Sequence, residues 1–363
     1  CGVHFWLMRY MDIIIGGKWR RKMENRKTVG FIGGKFLPLH LGHVYVIIEA
    51  SNRVDELYVV LSSSKNRDKE ICERDGIKHI PADVRMSWLG ENLNNLENIK
   101  IIHIEDDQWD NNYDWEEGAD KIKEAIGKPI DYVFSSEHDY DKYFNEYYPN
   151  SKHIVVDDER KTVTTSATEL RRNLYDNWER LPTCVREYFT KKIAIVGTES
   201  CGKTTLSKQL AKFYNIEQVS ETGRIYCLRY ANNLTRKMFD HIAMEHFLSQ
   251  VETAKDNNKM FIVDSDAVIT QYYLGMYFNN SKSQLIEEII KLQDYDLVIF
   301  LEPDVKWVSD GLRFAGAEEE RKKNNEKLKK MYKERGIHFR SISGNYTERF
   351  NKARKLIDEL FNK

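Results

Sequence analysis

The hydrophobic positions of this chain follow one pattern twice: a short apolar run, a turn containing glycine, and then apolar residues at helical spacing. The first copy is Thr28–Gly34 followed by a predicted helix over 42–52, and the second is Lys192–Gly197 followed by a predicted helix over 202–214. Each copy begins an alternation of strands and helices, which favours a parallel sheet covered by helices on both faces. The pattern therefore predicts an α/β fold with two parallel-sheet domains.

The rest of the chain continues both alternations. In the first half, further strands are predicted at 56–62, 100–104, 130–135 and 153–156, and helices near 82–96, 113–126 and 166–175. In the second half, strands are predicted at 260–264 and 296–302, with helices between them. The mixed charges and Pro182 of residues 176–191 are typical of a linker, so the predicted domains are 28–175 and 192–363.

Residues 1–27 form a basic extension, with seven Lys and Arg residues against Asp12 and Glu24. Their apolar run at 11–15 is too short for the core of a signal peptide. One interpretation is an arm that binds a membrane surface or nucleic acid. We expect instead an extension without fixed structure, because the stretch lacks the length and the period of a helix-turn-helix.

Composition and charge narrow the class of protein. Of 363 residues, 41% are hydrophobic and 31% are charged, which suits a folded protein and excludes a disordered one. The formal net charge is −1, so bulk charge predicts no nucleic-acid partner, and no apolar run is long enough to cross a membrane. Five cysteines without CxxC spacing favour reduced thiols in a cytoplasmic protein over disulfides or a zinc ribbon.

Residues 197–204 read GTESCGKT, which matches the phosphate-binding pattern GxxxxGK[ST] between a predicted strand and a predicted helix. Backbone N–H groups of such a loop surround phosphate oxygens at the positive end of a helix. Lys203 is then expected to reach the β- and γ-phosphates of ATP, and the Thr204 hydroxyl to bind Mg²⁺. The further residues predicted to bind ATP here are Gly197, Glu199, Ser200, Gly202 and Thr205.

Polar residues follow the later strands of the second half, where the carboxyl ends of parallel strands face the ligand crevice. Asp264 is expected either to hold Mg²⁺ through water or to accept a proton from a substrate hydroxyl. Glu221 and Arg224 are expected to bind substrate, and Asp266 either does the same or caps the next helix. Arg313 is expected to close over the phosphates, the alternative being a solvated surface arginine.

Residues 34–43 of the first half read GKFLPLHLGH and enter a helix directly after the first strand. His40 and His43 are thereby expected near a helix N-terminus, where an anion binds. A metal site is a weaker interpretation because no third histidine or carboxylate lies at ligand spacing, and two structural histidines remain an alternative. Ser166, Thr168 and Arg171 of the segment SATELR open a later helix and suit a triphosphate tail.

These two motifs together form the signature of HxGH nucleotidyltransferases, and the chain from about residue 28 resembles the bifunctional NadR proteins. Those proteins fuse a nicotinamide-mononucleotide (NMN) adenylyltransferase to a ribosylnicotinamide kinase. The resemblance also covers VDELYVV, DVRMSW, FSSE, ETGRIY, DSDAVITQ and WVSDGLR, in order. Some members carry an N-terminal helix-turn-helix and act as repressors, a role not expected here. Cys201 stands where a small serine is expected.

The resemblance implies a Rossmann-like nucleotidyltransferase domain followed by a P-loop kinase domain. In the first, His40 and His43 would bind the α- and β-phosphates of ATP, with Lys35 and Arg171 on the triphosphate. Gly34, Phe36, Ser166 and Thr168 would complete the ATP site. Arg85 would bind the mononucleotide, and Trp115 or Trp109 would carry the cationic nicotinamide ring, although either tryptophan could be core.

In the second domain, the resemblance implies phosphorylation of nicotinamide riboside by ATP, with Lys203, Thr204 and Arg313 stabilising the transfer and Asp264 as base. Mg²⁺ would be the cofactor, and the partners would be ATP, nicotinamide riboside, NMN and NAD. A homo-oligomer is compatible with these observations. Two alternatives stay open: a coenzyme A synthase-like fusion acting on phosphopantetheine and dephospho-coenzyme A, and a nucleotide-sensing regulator with a silent site.

Overall fold

The computed structural model of the chain describes residues 26–106, 114–157, 166–304 and 318–361. Within it the chain divides into two compact units between Val185 and Arg186. Three predictions fall outside the described residues: almost all of the N-terminal extension, Trp109 and Arg313. No helix in the described ranges is long and apolar enough to cross a bilayer.

The first unit is built on a five-stranded parallel sheet in the order β3-β2-β1-β4-β5. Its strands are β1 (Val29–Gly34), β2 (Glu56–Ser63), β3 (Ile99–Glu105), β4 (Tyr132–Ser135) and β5 (Lys152–Val155). Its helices are α1 (Leu41–Ser51), α2 (Lys65–Arg74), α3 (Ala82–Leu93), α4 (Trp115–Ile126), α5 (Asp141–Tyr147) and α6 (Ala167–Arg172). The strand order reverses at β1, and ligands of such sheets bind beyond the carboxyl ends of the strands at that reversal.

The alternating residues of β1 separate the two faces of this sheet. Val29 and Phe31 share one apolar cluster with Val60 of β2 and with Ala119 and Ile126 of α4. Gly30 faces the other way, where a Cβ atom would lie 2.7 Å from a ring carbon of Phe134 and 3.2 Å from Val54. The core beside Gly30 therefore has no room for a side chain.

We expect Gly30→Ala to destabilise the first unit by about 1–3 kcal/mol, because the added methyl forces the Phe134 ring out of its packing. The measurement is the free energy of unfolding in denaturant. Gly33→Ala is the matched control on the same strand, since a Cβ atom added there would meet no other atom within 4 Å. Equal stability of the two variants would contradict the prediction.

The second unit has its own five-stranded parallel sheet, in the order β10-β9-β6-β8-β7. The strands are β6 (Lys191–Gly197), β7 (Gln218–Val219), β8 (Met260–Asp264), β9 (Leu297–Leu301) and β10 (Arg340–Ile342). The chain enters this unit through α7 (Thr183–Phe189), and the later helices are α8 (Lys203–Tyr214), α9 (Thr222–Arg229), α10 (Arg236–Ala254), α11 (Ala267–Tyr277), α12 (Gln284–Leu292), α13 (Glu318–Glu334) and α14 (Tyr346–Asp358).

Helices cover both faces of the second sheet. Ile193 and Ile195 of β6 pack in one cluster with α8 and α14, whereas Ala194 and Val196 pack in another with α10 to α13. The predicted α/β fold with two parallel sheets is thereby confirmed. The first strand of each sheet, β1 or β6, lies at the centre, so the loop that follows each first strand lies at the reversal of strand order.

Several elements were not predicted. Helix α2 is highly polar and has no apolar stripe, β10 is three residues long, and α5 has seven residues. The predicted linker 176–191 contains a 3-10 turn at Trp178–Arg180 and helix α7, and the division between the units falls inside it. Trp178 is buried and stacks on Tyr175 with ring centroids 5.5 Å apart.

Candidate active sites

The loop between β1 and α1 brings the two predicted histidines into contact. The His40 and His43 rings stack with centroids 3.6 Å apart, and Phe36 meets His43 edge-on at 5.1 Å. His40 caps α1, because its Nδ1 accepts a hydrogen bond from the backbone N–H of His43 at 3.3 Å. A neutral His40 ring then carries its proton on Nε2, where it can be donated. Within the described residues the pair belongs to no group of three or more metal-binding side chains.

Arg171 joins the segment SATELR to this loop. It is 8% exposed and donates from Nη1 to the Leu37 carbonyl at 2.7 Å and from Nη2 to the Thr168 hydroxyl at 3.0 Å. Its Nε donates to Asp75 at 2.6 Å. Hydrogen bonds from Arg74 and Arg171 outweigh burial and lower the pKa of Asp75 to about 2. Ser166 caps α6 by accepting from the Glu169 N–H at 3.2 Å.

Lys35 and Arg85 meet at a second buried carboxylate. Lys35 Nζ lies 2.9 Å from Asp68 Oδ1, and Arg85 Nη2 lies 2.7 Å from Asp68 Oδ2. Burial raises the pKa of Asp68, but the two cations outweigh it and bring that pKa below its ordinary value. Arg85 also donates to the Lys35 carbonyl at 2.8 Å and is 1% exposed. Its guanidinium is directed at protein groups that hold the loop, and substrate binding by Arg85 stays a prediction.

The predicted aromatic platform lies at the start of α4. Trp115 stacks on Tyr143 at 4.2 Å with planes 10° apart, and it meets Phe144 edge-on at 6.2 Å. Phe144 in turn contacts the His153 ring at 4.8 Å. Trp115 is partly exposed, so one side of this cluster is accessible to a ligand.

Beside the aromatic cluster, three residues that were not predicted as site residues form a hydrogen-bonded chain. His153 Nε2 lies 2.8 Å from the hydroxyl of Ser135, the last residue of β4 and part of the FSSE motif. His153 Nδ1 lies 2.5 Å from Asp141. Hydrogen bonds from His138 and His153 lower the pKa of Asp141. No spacing in the sequence links these residues, because they come from three different elements.

The phosphate loop of the second unit runs from the end of β6 to the start of α8. Gly197 has a φ of +145° and Gly202 a φ of +92°, values that side chains disfavour. A Cβ on Gly197 would lie 2.8 Å from the Leu301 carbonyl oxygen, so only glycine fits there. Lys203 is 7% exposed and donates to the Thr198 carbonyl at 3.1 Å, which curls the loop around its ammonium. Cys201 points into the core, fully buried.

Arg349 of α14 binds the backbone of this loop. It was not predicted as a site residue. It is 2% exposed and donates from Nη1 to the Cys201 carbonyl at 2.5 Å and from Nη2 to the Glu302 carbonyl at 2.8 Å. It also forms an ion pair with Asp304. The sequence carries no signal for this role, because 148 residues separate Arg349 from the carbonyl it binds.

A cavity of about 170 Å³ opens beside the phosphate loop. Most of the predicted residues of this unit line it: Glu199, Ser200, Gly202, Lys203, Thr204, Thr205, Glu221, Arg224 and Asp266. Its apolar wall is formed by α10, α11 and the turn before α10. The residues of this wall include Leu234, Phe239, Ile242, Tyr273 and Tyr277. One cavity thus offers a phosphate-binding loop and a surface for a flat apolar ring.

Asp264 ends β8 next to β6 and is 1% exposed. Burial, and then the charge of Glu221, raise its pKa to about 6, against the opposing effects of Lys203, Thr204 and Arg224. The Thr204 hydroxyl is close enough to lower this pKa, yet neither carboxylate oxygen makes a hydrogen bond of ordinary length and angle to a described residue. A buried carboxylate without such a hydrogen bond can accept a proton or bind a hydrated cation.

Asp266 caps a helix, which is one of the two roles predicted for it. It is the N-cap of α11, and its Oδ1 accepts hydrogen bonds from the Ile269 N–H at 2.9 Å and from the Tyr332 hydroxyl at 2.8 Å. Burial raises the pKa of Asp266 to about 6. These contacts explain its burial without a substrate, although the residue also lines the cavity.

His246 of α10 lines the same cavity and was not predicted from the sequence. It is 4% exposed, and burial lowers its pKa to about 4, so the ring is neutral near pH 7. Gln250 lies 3.4 Å from its Nδ1. A single histidine in an amphipathic helix is indistinguishable from an ordinary core residue in sequence.

Known proteins resemble the chain over nearly its whole length. The AAA domain family matches residues 192–349. The trifunctional NAD biosynthesis/regulator protein NadR of Escherichia coli (strain K12) is 30% identical over 347 residues, which cover 93% of this chain and 84% of the relative. The crystal structure of a NadR protein in complex with NR has a TM-score of 0.76 at 23% identity and covers 92% of this chain and 96% of that one.

A second NadR crystal structure, in complex with NAD and AMP-PNP, has a TM-score of 0.75 at 22% identity and covers 93% of this chain and 97% of that one. The two crystal structures share the fold of this chain. The 30% identity to the Escherichia coli protein, over most of both sequences, extends from the histidine loop of the first unit through the phosphate loop of the second. The chain belongs to the NadR family.

Proposed function

We propose that this chain is a bifunctional enzyme of NAD biosynthesis. The second unit phosphorylates nicotinamide riboside with ATP, and the first unit adenylylates the resulting NMN with ATP, giving NAD and pyrophosphate. The observation that carries the proposal is the presence, in one NadR-family chain, of a stacked histidine pair at a helix N-terminus and a phosphate loop opening on a cavity with an apolar wall. Family membership favours this proposal over the coenzyme A synthase-like alternative.

In the first reaction, the phosphate of NMN attacks the α-phosphorus of ATP in line and pyrophosphate leaves. No covalent enzyme intermediate is needed, so catalysis consists of positioning and stabilisation of charge. His40 Nε2 and His43 donate to the phosphate oxygens as negative charge accumulates. Among the described residues Arg171 uses three of its five N–H donors, and the other two donate to the triphosphate.

Two further groups of the first unit act on the substrates. Lys35 exchanges Asp68 for the triphosphate, because a partly exposed ammonium can turn from one anion to the other. The Trp115–Tyr143 stack carries the cationic nicotinamide ring on its exposed side.

In the second reaction, the 5′-hydroxyl of the riboside attacks the γ-phosphorus of ATP, and ADP leaves. Asp264 accepts the proton of that hydroxyl, and Lys203 neutralises charge on the transferred group. The Thr204 hydroxyl beside the buried Asp264 fits Mg²⁺, which would supply further charge neutralisation on the phosphates. Phe239, Tyr273 and Tyr277 hold the nicotinamide ring against the apolar wall.

A cytoplasmic location is part of the proposal, since ATP is a substrate of both reactions. The described cysteines support it: Cys72, Cys184, Cys201 and Cys227 are free thiols, and three of them are buried. Free thiols are usual where the compartment is reducing.

The direct test is product analysis after the full chain is incubated with nicotinamide riboside, ATP and Mg²⁺. We expect NAD to appear after a transient accumulation of NMN. Accumulation of NMN without NAD would contradict the adenylyltransferase. If folded protein gives no product, the proposal fails, and pyrophosphate release with phosphopantetheine and ATP would then establish the coenzyme A alternative.

The kinase reaction should depend on pH through Asp264. Because the raised pKa keeps this carboxyl protonated below about pH 6, it cannot accept the hydroxyl proton there. We expect kcat/KM for riboside phosphorylation to be flat above about pH 7 and to fall about tenfold per pH unit below about pH 6. The measurement is NMN formation across this range, with circular dichroism as the check on folding. Unchanged kcat/KM at about pH 5 in folded protein would refute the assignment of Asp264 as base.

A further inference from the structure

Helix α2 presents one charged face to the protein interior. Asp68, Cys72 and Asp75 follow one another at spacings of four and three, which places them on one side of the helix and its C-terminal end. Asp68 is 1% exposed, Cys72 is fully buried and the Asp75 side chain is 2% exposed. Two buried carboxylates on an otherwise polar surface helix need positive partners.

Each carboxylate has a buried arginine as its partner, and each arginine reaches the same loop. Asp68 binds Arg85, whose Nη1 donates to the Lys35 carbonyl at 2.8 Å. Asp75 binds Arg171, whose Nη1 donates to the Leu37 carbonyl at 2.7 Å. The two arginines come from different helices, α3 and α6, so the arrangement is not a consequence of local sequence.

The two bound carbonyls belong to Lys35 and Leu37, the residues on either side of Phe36. Phe36 has a φ of +46°, a conformation that is costly for a residue with a side chain, and its ring meets His43 edge-on. Holding the carbonyl on either side of Phe36 fixes the path of the loop and, through the Phe36 ring, the position of the His43 imidazole.

We propose that Asp68 and Asp75 are positioning residues for adenylyl transfer, which act through Arg85 and Arg171 to fix the loop 34–39 beneath the two histidines. The proposal rests on the adenylyltransferase function proposed above. The physical reason is that a planar guanidinium keeps one orientation only when its charge is compensated in plane. Nε of Arg171 is fixed by Asp75, and this orients the two donors that Arg171 turns to the triphosphate.

The test removes the negative charge of Asp75 and keeps the volume of its side chain. In Asp75→Asn we expect kcat for NAD formation from NMN and ATP to fall about 10- to 100-fold, since small displacements of reacting groups are costly, while KM for NMN changes little. Asp68→Asn should change kcat in the same direction. Glu73→Gln is the matched control on the same helix: its carboxylate is exposed, pairs with Lys69, and should leave kcat within about twofold.

A double-mutant cycle separates positioning from a general loss of structure. Because Asp75 acts through Arg171, adding Asp75→Asn to Arg171→Gln should lower kcat no further than Arg171→Gln does alone. Riboside phosphorylation by the same variants should stay unchanged. The proposal would be overturned if the fold loss of kcat in the double variant equalled the product of the two single losses. A wild-type kcat in Asp75→Asn would also overturn it. If Asp75→Asn does not fold, Asp75→Glu, which displaces the charge by one methylene, takes its place.

A second readout is independent of activity. Backbone amides of residues 35–40 should exchange hydrogen faster in Asp75→Asn than in wild-type protein, and at the wild-type rate in Glu73→Gln. Unchanged exchange in Asp75→Asn would refute the role of Asp75 in fixing the loop 34–39. If wild-type protein forms no NAD from NMN, yet exchange is faster in Asp75→Asn, the proposed adenylyltransferase is refuted and the role of Asp75 in fixing the loop is supported.

Discussion

Replacing Lys203 with alanine should lower kcat for riboside phosphorylation by about 10²- to 10³-fold or more. The ammonium is the buried positive charge at the centre of the phosphate loop, and its hydrogen bond to the Thr198 carbonyl places it there. An alanine leaves the charge that develops on the transferred phosphate without its nearest cation. The measurement is NMN formation from nicotinamide riboside and ATP.

The matched control for this prediction is Lys208→Ala, which removes an exposed lysine from the same helix and should leave the kinase within about twofold of wild type. NAD formation from supplied NMN should be unchanged in both variants, because the adenylyltransferase residues lie in the other unit. A Lys203→Ala variant that still phosphorylates the riboside at the wild-type rate would mean that this loop is not the kinase site.

His43→Ala should lower kcat for adenylyl transfer by about 10²- to 10³-fold and leave riboside phosphorylation intact. The helix should survive the change, because it is the backbone N–H of His43, not its ring, that binds Nδ1 of His40. Loss of activity can therefore be assigned to the missing imidazole. NAD formation from NMN and ATP gives the rate, and thermal unfolding checks the fold.

Comparison with His40→Ala sharpens this result. That variant removes the cap of α1 as well as a phosphate donor, so it should also cost about 1 kcal/mol of stability. Wild-type adenylyl transfer in His43→Ala would contradict the role assigned to His43, and loss of both reactions in folded protein would contradict two independent sites.

The sequence predicted the central strands well because most of their residues are buried and they form apolar runs. It predicted the phosphate loop and the histidine loop because each is a local pattern, in which glycines and polar residues at fixed spacing determine the backbone. Helix α2 escaped prediction because it has no apolar stripe: its inward face carries Asp68, Cys72 and Asp75. A polar helix of this kind can be predicted only once the arginines that neutralise its inward face are known.

The roles of individual arginines show the same limit. Arg85 and Arg171 both stand in motifs that resemble ligand-binding segments, yet in the fold each donates three hydrogen bonds to protein groups, with Arg85 1% exposed and Arg171 8% exposed. Asp264 and Asp266 are two residues apart, but Asp266 caps a helix, whereas Asp264 is buried without a hydrogen bond of ordinary geometry to any described residue. Spacing along the chain does not distinguish these environments.

Two α/β units, the histidine loop, the phosphate loop and the NadR family could all be predicted from the sequence, since apolar periodicity and short motifs are encoded by neighbouring residues. Which charged side chains hold the loops and which face a ligand depends on contacts between residues that are distant in sequence. Burial raises the pKa of Asp264 to about 6, and Arg171, 96 residues along the chain, joins the neighbouring Arg74 in compensating the charge of Asp75. Both depend on which distant groups the fold brings within a few ångströms, because electrostatic interactions act through space and not along the chain.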